Sequence, residues 1–147
     1  MIARGHQIVA RHPGYSMENR GYDMNAAFYD CSSFQGVING IYSCPATPEM
    51  VSVYTSYGYQ HLSFSGLGNL KKGDVLVYNK PGTSGEGANG HTAMYAGNGM
   101  FLECHGGVGP DYRGAWGDGY WQDVLRNPRS GIYITHWNCT SNPSESF

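Results

Sequence analysis

Apolar positions recur at helical spacing in the first part of the chain and at strand spacing in the second. Residues from about Ile2 to Arg11 read as a short helix, ended by the breaker His12-Pro13-Gly14. Tyr15 to Tyr29 reads as an irregular connection rich in Tyr, Asn and Asp. Phe34, Val37, Ile38 and Ile41 then repeat at helical spacing, which predicts a helix opening at Cys31 and ending near Tyr42. Thr47-Pro48-Glu49 starts another helix, with a cap, a proline at the first position and an acidic first turn. Met50, Tyr54 and Tyr57 form its apolar face. After Gly58 the period changes. Asp74 to Tyr78 is an almost wholly apolar strand, and Lys80 to Asn89 a mobile polar loop leading into His91. Thr92 to Ala96 and Met100 to Cys104 flank the hairpin signal Gly97-Asn98-Gly99. Gly106 to Gly119 reads as a glycine-rich loop, and Gly131 to Thr135 as the last strand. Helices first and strands afterwards argue for an α+β fold with an antiparallel sheet.

The hairpin makes a geometric claim. A three-residue loop pairs Ala96 with Met100, sets Ala93 against Glu103 and places His91 opposite His105. Side chains alternate with period two, so all four of His91, Ala93, Glu103 and His105 share a face. A two-residue loop would instead turn Cys104 toward His91. The Gly-Asn-Gly tripeptide favours three.

Composition narrows the class. At 147 residues one domain is expected, with 40% apolar residues, only 14% charged and 22 glycines. A net charge of -2 offers no basic stripe for nucleic acid, and no apolar run is long enough to cross a bilayer. No secretory signal is visible at the amino terminus, which favours a reducing compartment and free thiols for Cys31, Cys44, Cys104 and Cys139. Neither C-x-x-C nor H-E-x-x-H occurs, so neither metal nor cofactor is expected. From Cys139 the chain turns to Ser, Asn and Pro, which reads as a tail or the start of a linker; the domain boundaries are 1–138 and 139–147.

The chemistry concentrates at Asp30-Cys31. Aspartate is a strong N-cap, so Asp30 caps the helix and Cys31 occupies its first position. A thiol there faces the positive end of the helix dipole, which favours a thiolate. With a histidine at the start of a strand sixty residues on, the chain holds a thiol nucleophile and its base. Cys44, Cys104 and Cys139 read as buried structural residues. His6, His12, His61 and His136 carry no partner signal, Arg20 reads as the partner of a carboxylate in the fold, and Trp116, Tyr120 and Trp121 as local packing.

Five segments, in order, carry a family resemblance: Tyr15 to Arg20, Tyr29 to Ser33, Leu70 to Val75, the polar loop ending at Gly90-His91, and Tyr95 to Gly99. In them the chain resembles the NlpC-type, papain-like cysteine peptidoglycan hydrolases, and most of all their phage peptidoglycan amidohydrolase (endolysin) branch. The resemblance implies a papain-like fold with N-terminal helices packed on a central antiparallel sheet. It further implies Cys31 as nucleophile, His91 as base and Glu103, where many members have histidine, as the residue that orients the base. His105 is the runner-up for that third role. Tyr15, Asp30 and Ser32 correspond to substrate-binding positions.

On this resemblance the chain is expected to cut an amide bond of the peptidoglycan peptide through a thioester. It would act as an N-acetylmuramoyl-L-alanine amidase or a stem-peptide endopeptidase, with γ-D-glutamyl endopeptidase specificity as one alternative. A catalytically degenerate wall-binding module, or a thiol acyltransferase on another substrate, are others. The expected partner is bacterial peptidoglycan, met by a monomer with no nucleic acid or membrane partner. The chain would wait in the host cytoplasm until released to the wall, or travel in the virion.

Overall fold

The computed structural model describes residues 1–128 and 132–135; the expected tail and Cys139 lie outside these residues. Helix α1 (Ile2–Arg11) ends where His12 takes a left-handed conformation, at φ 57°. The following connection is irregular except for two short strands, β1 (Gly14–Tyr15) and β2 (Phe28–Tyr29), which pair in parallel. Helix α2 (Cys31–Asn39) stops earlier than the apolar spacing suggested. Gly40 adopts φ 74° and closes the last turn, so Ile41 packs from outside the helix. Helix α3 (Thr47–Ser56) takes Ala46, not Thr47, as its cap. The Thr47 hydroxyl donates instead to the Gly85 carbonyl, at 2.8 Å. Met50 and Tyr54 are buried as expected, whereas Tyr57 lies past the helix end and is exposed.

The remaining strands are β3 (Gln60–Ser63), β4 (Val75–Asn79), β5 (Gly90–Gly97), β6 (Met100–His105), β7 (Gly109–Gly114) and β8 (Ile132–Thr135). They form a six-stranded antiparallel sheet in the order β3-β8-β4-β5-β6-β7. Helix α4 (Gly119–Arg126) lies between β7 and β8 in the chain. β7 replaces much of the loop expected from Gly106 to Gly119. It is an edge strand, where Pro110 costs no ladder hydrogen bond on its outer side, and its sequence does not alternate. β3, at the opposite edge, is exposed at every position and carries no apolar pattern.

The sheet has two covered faces. Ile8, Phe34, Val37, Met50 and Tyr54 from the first three helices pack with Val75, Val77, Met94, Leu102 and Ile134. The alternate strand residues Leu76, Ala93, Phe101 and Tyr133 pack with Trp121, Val124 and Leu125 of α4. β4 is therefore buried from both sides, which explains its nearly continuous apolar sequence.

The hairpin keeps the expected face by a different route. Its loop is the two residues Asn98 and Gly99, both at positive φ (53° and 72°), as a tight type I′ turn requires. Gly97, rather than Ala96, pairs with Met100, and the ladder shifts between Tyr95 and Gly97. That bulge absorbs one residue and restores Ala93 opposite Glu103. Cys104 consequently points to the helix side, where its thiol lies 3.4 Å from the Tyr29 carbonyl.

Candidate active site

The start of α2 is held by a reciprocal cap. The Asp30 carboxylate accepts from the Ser33 backbone N–H at 2.8 Å, and the Ser33 hydroxyl accepts from the Asp30 N–H at 2.9 Å. Arg20 reaches in from the irregular connection and engages both Asp30 oxygens at 3.2 Å, the Ser32 hydroxyl at 2.9 Å and the Cys44 carbonyl at 3.0 Å. Arg20 thus pairs with a carboxylate of the fold, as its sequence context suggested. Asp30 and Ser32 both lie in this clamp. Cys31, beside them, is partly exposed.

His91 enters near the start of β5, opposite Tyr78 of β4. Gly90 precedes it because no side chain fits there: a Cβ would run into the Gly85 carbonyl and the Thr47 hydroxyl. The first residue of α3 therefore pins the loop that delivers His91. The imidazole shares the cleft with the Cys31 side chain, which acts to raise its pKa. Its Nε2 lies 3.1 Å from Glu103 Oε2 and 3.5 Å from Asp118 Oδ2, which leaves Nδ1 for the thiol. Glu103 has no exposed surface, and the Trp121 indole N–H donates to its Oε2 at 2.8 Å. The rings of Tyr120 and Trp121 pack on the imidazole, with centroids 4.7 and 5.2 Å away.

Burial opposes a charge on His91, but the neighbouring Asp118, Cys31 and Glu103 side chains outweigh it and hold the imidazolium well above the usual histidine range. Burial raises Glu103, with the His91 contact acting against it. Burial also acts to raise Asp118, yet the neighbouring His91 and Glu103 side chains and the Tyr120 N–H lower it well below the usual carboxylate range.

A cleft of about 340 Å³ opens over this cluster, lined by Tyr15, Cys31, His91, His105, Asp118 and Tyr120 among others. The structure thus brings together Cys31, His91 and Glu103, with Tyr15 on the cleft wall. His105 faces the same cleft, but its Nε2 has no hydrogen-bond partner and lies 3.9 Å from Asp111. His91, Glu103 and Asp118 each present a donor atom within 4.8 Å of the others, the only such group found among the described residues. His91 Nε2 already faces the two carboxyl groups, at 3.1 Å and 3.5 Å.

Asp118 is the member the sequence reading missed. The signal was present: an aspartate cap followed by Trp121, Val124 and Leu125 at i+3, i+6 and i+7, all buried. Trp121 and Tyr120 were read as local packing. Both do pack, and they do so against the histidine.

Among solved structures, the chain is similar to NlpC1 from Trichomonas vaginalis, with 17% identity, a TM-score of 0.51, and coverage of 91% of this chain and 42% of that one. A lipoprotein-like NLP/P60 family protein from Staphylococcus aureus aligns with 17% identity and a TM-score of 0.47, over 82% of this chain and 39% of its own. RipD from Mycobacterium tuberculosis, described as a non-catalytic NlpC/p60 domain protein adapted to peptidoglycan binding, aligns with 17% identity and a TM-score of 0.47, over 91% and 97%. The chain thus spans about two fifths of the length of the first two. No curated protein matches it in sequence. Among the described residues no helix is long and apolar enough to cross a membrane. The NlpC1 alignment shows the fold as papain-like and α+β. Residues 6–109 match the family described as bacteriophage peptidoglycan hydrolase. With this match covering most of its length, the chain belongs to the bacteriophage peptidoglycan hydrolase family.

Proposed function

We propose that this chain hydrolyses an amide bond in the peptide of bacterial peptidoglycan by thiolate attack from Cys31. The observation that carries the reading is the Cys31–His91–Glu103 series in one cleft, with the thiol at a helix start and the carboxylate sealed behind the imidazole. His91 Nδ1 takes the thiol proton, and the sulfur attacks the amide carbonyl to give a tetrahedral oxyanion. The Cys31 backbone N–H lies in the first turn of α2, where no intrahelical acceptor exists, and is aimed to bind that oxyanion. The C–N bond breaks as His91 returns the proton to the leaving amine. Water, deprotonated by His91, then cleaves the thioester and regenerates the thiol. Glu103 orients the imidazole throughout.

The bond cut is the muramoyl–alanine amide or one within the stem peptide, including the γ-D-glutamyl bond. Tyr15 is placed for substrate contact in the cleft. Asp30 and Ser32 reach substrate only where Arg20 yields them. The substrate sets the setting as well: a phage-encoded hydrolase made in the host cytoplasm, or carried in the virion, that meets the wall as a monomer.

The test is digestion of purified peptidoglycan by wild type and Cys31→Ala, with fragments identified by mass spectrometry. Fragments from the wild type alone are expected, and their new termini name the bond. Fragments from both proteins, or from neither across several wall chemotypes, would overturn the reading. A chelator is expected to leave the wild-type digestion unchanged.

A further inference from the structure

Two carboxyl groups face one imidazole nitrogen, and the surroundings distinguish them. Glu103 is sealed, on β6, and its Oε2 receives both the Trp121 N–H at 2.8 Å and the His91 Nε2 at 3.1 Å. Its Oε1 accepts no hydrogen bond: Arg113 of β7 stands 3.9 Å away, and its Nε is engaged with Asp111 at 2.9 Å. Asp118 stands at the cleft wall, at the N-terminus of α4, where its Oδ1 accepts the Tyr120 backbone N–H at 2.9 Å. Its Oδ2 is buried and, as a carboxylate, has only the longer approach to His91. Both oxygens lack a hydrogen bond while both groups are ionised, and two buried carboxyl groups with oxygens within 4.8 Å of each other favour keeping one of them protonated. One proton between them satisfies both.

We propose that Asp118 is a positioning residue that supplies the negative charge opposite the His91 imidazolium, while Glu103 is held as a neutral acid that donates its proton to Asp118. In this arrangement the Glu103 carbonyl oxygen accepts from Trp121 and His91, and its O–H points to Asp118. The helix start stabilises the anion at the cleft wall, and the more deeply sealed site holds the neutral group. The other groups facing the cluster are Cys31 from α2, Tyr15 from β1, Tyr120 from α4 and His105 at the rim. None of these brings a fixed negative charge to His91 except the Cys31 thiolate. During the reaction the thiolate is consumed in the thioester, so Asp118 is the counter-ion that persists through both halves of the cycle. Glu103 then orients the ring as a hydrogen-bonding neighbour rather than as a charge.

The inference rests on the catalytic reading of His91 but is tested without substrate. The His91 imidazole is followed by nitrogen NMR across pH in wild type, Asp118→Asn, Asp118→Ser and Glu103→Gln, alongside the pH dependence of Cys31 alkylation by iodoacetamide. Asn and Ser both keep an N-cap oxygen, so α4 retains its start in both variants. Loss of the imidazolium is expected to move to lower pH by about one unit or more in both Asp118 variants, about a tenfold change in the protonation equilibrium. Glu103→Gln, which exchanges one neutral group for another, is expected to move it by less than half as much. A shift in Glu103→Gln equal to or larger than that in the Asp118 variants would overturn the proposal, as would an unmoved titration in those variants. Failure to digest peptidoglycan, with the titrations as expected, would remove the substrate reading and leave the charge placement standing.

Discussion

Two helices begin at this cleft, and both begin with an aspartate, but the aspartates differ in what their second oxygen does. At α2, Asp30 spends one oxygen on the Ser33 N–H and both on Arg20, so its charge is neutralised inside the fold. At α4, Asp118 caps with one oxygen and turns the other to His91. The same local motif therefore serves architecture in one place and faces the cleft histidine in the other. The difference lies in a distant partner: Arg20 closes the first aspartate, and no arginine among the described residues closes the second.

The comparison breaks most severely at the anchor of α4. Trp121 is fully buried against Phe101 and donates to Glu103, so Trp121→Ala is expected to cost about 3–5 kcal/mol in thermal or denaturant unfolding. Wall digestion per folded molecule should fall with it, because Glu103 and His91 lose their packing. An unfolding midpoint at the wild-type value would mean that α4 is not part of the site's frame.

Arg20→Ala should have the next largest effect, about 2 kcal/mol of stability, since it leaves a largely buried carboxylate without its cation. Its effect on cleavage sharpens the contrast. A changed KM with unchanged kcat would assign Asp30 and Ser32 to substrate binding, whereas unchanged kinetics would confine them to the helix start.

The pH dependence of stability separates the caps further. The Asp118 carboxyl is lowered in the fold, so its stabilisation is fully present above the ordinary aspartate value of about 3.9 and is lost as pH falls through the folded value. The stability gap between wild type and Asp118→Ser should therefore be widest near neutrality and close in acid. Urea unfolding at a series of pH values reads this directly, and a gap that widens toward acid would contradict it. The smallest effect is expected at Ser33→Ala, which removes half of the reciprocal cap at α2 for about 1 kcal/mol, with cleavage retained.

What could be read in the sequence follows the range of each signal. The Asp30-Cys31 helix start, the Gly97-Asn98-Gly99 hairpin signal and the apolar β4 run depend on residues within a few positions, and local chemistry was enough to place them. Even the hairpin face came out correctly, although the loop count did not. A two-residue turn and a bulge at Ala96 sum to the same parity as a three-residue loop. β7 and β3 were missed because edge strands need no apolar alternation; their neighbours specify them. α4 was missed because its short apolar stripe was taken for plugs in a glycine-rich loop.

By itself the sequence determined which candidate groups could meet. A capped thiol, a strand-borne histidine and a carboxylate on the matching face of the next strand follow from spacing and from the alternation of side chains. Only the tertiary structure decided which carboxylates meet the histidine, and that Arg20 claims Asp30. Charges separated by tens of residues interact through space, and a protonation pattern is set by whatever the fold buries beside them.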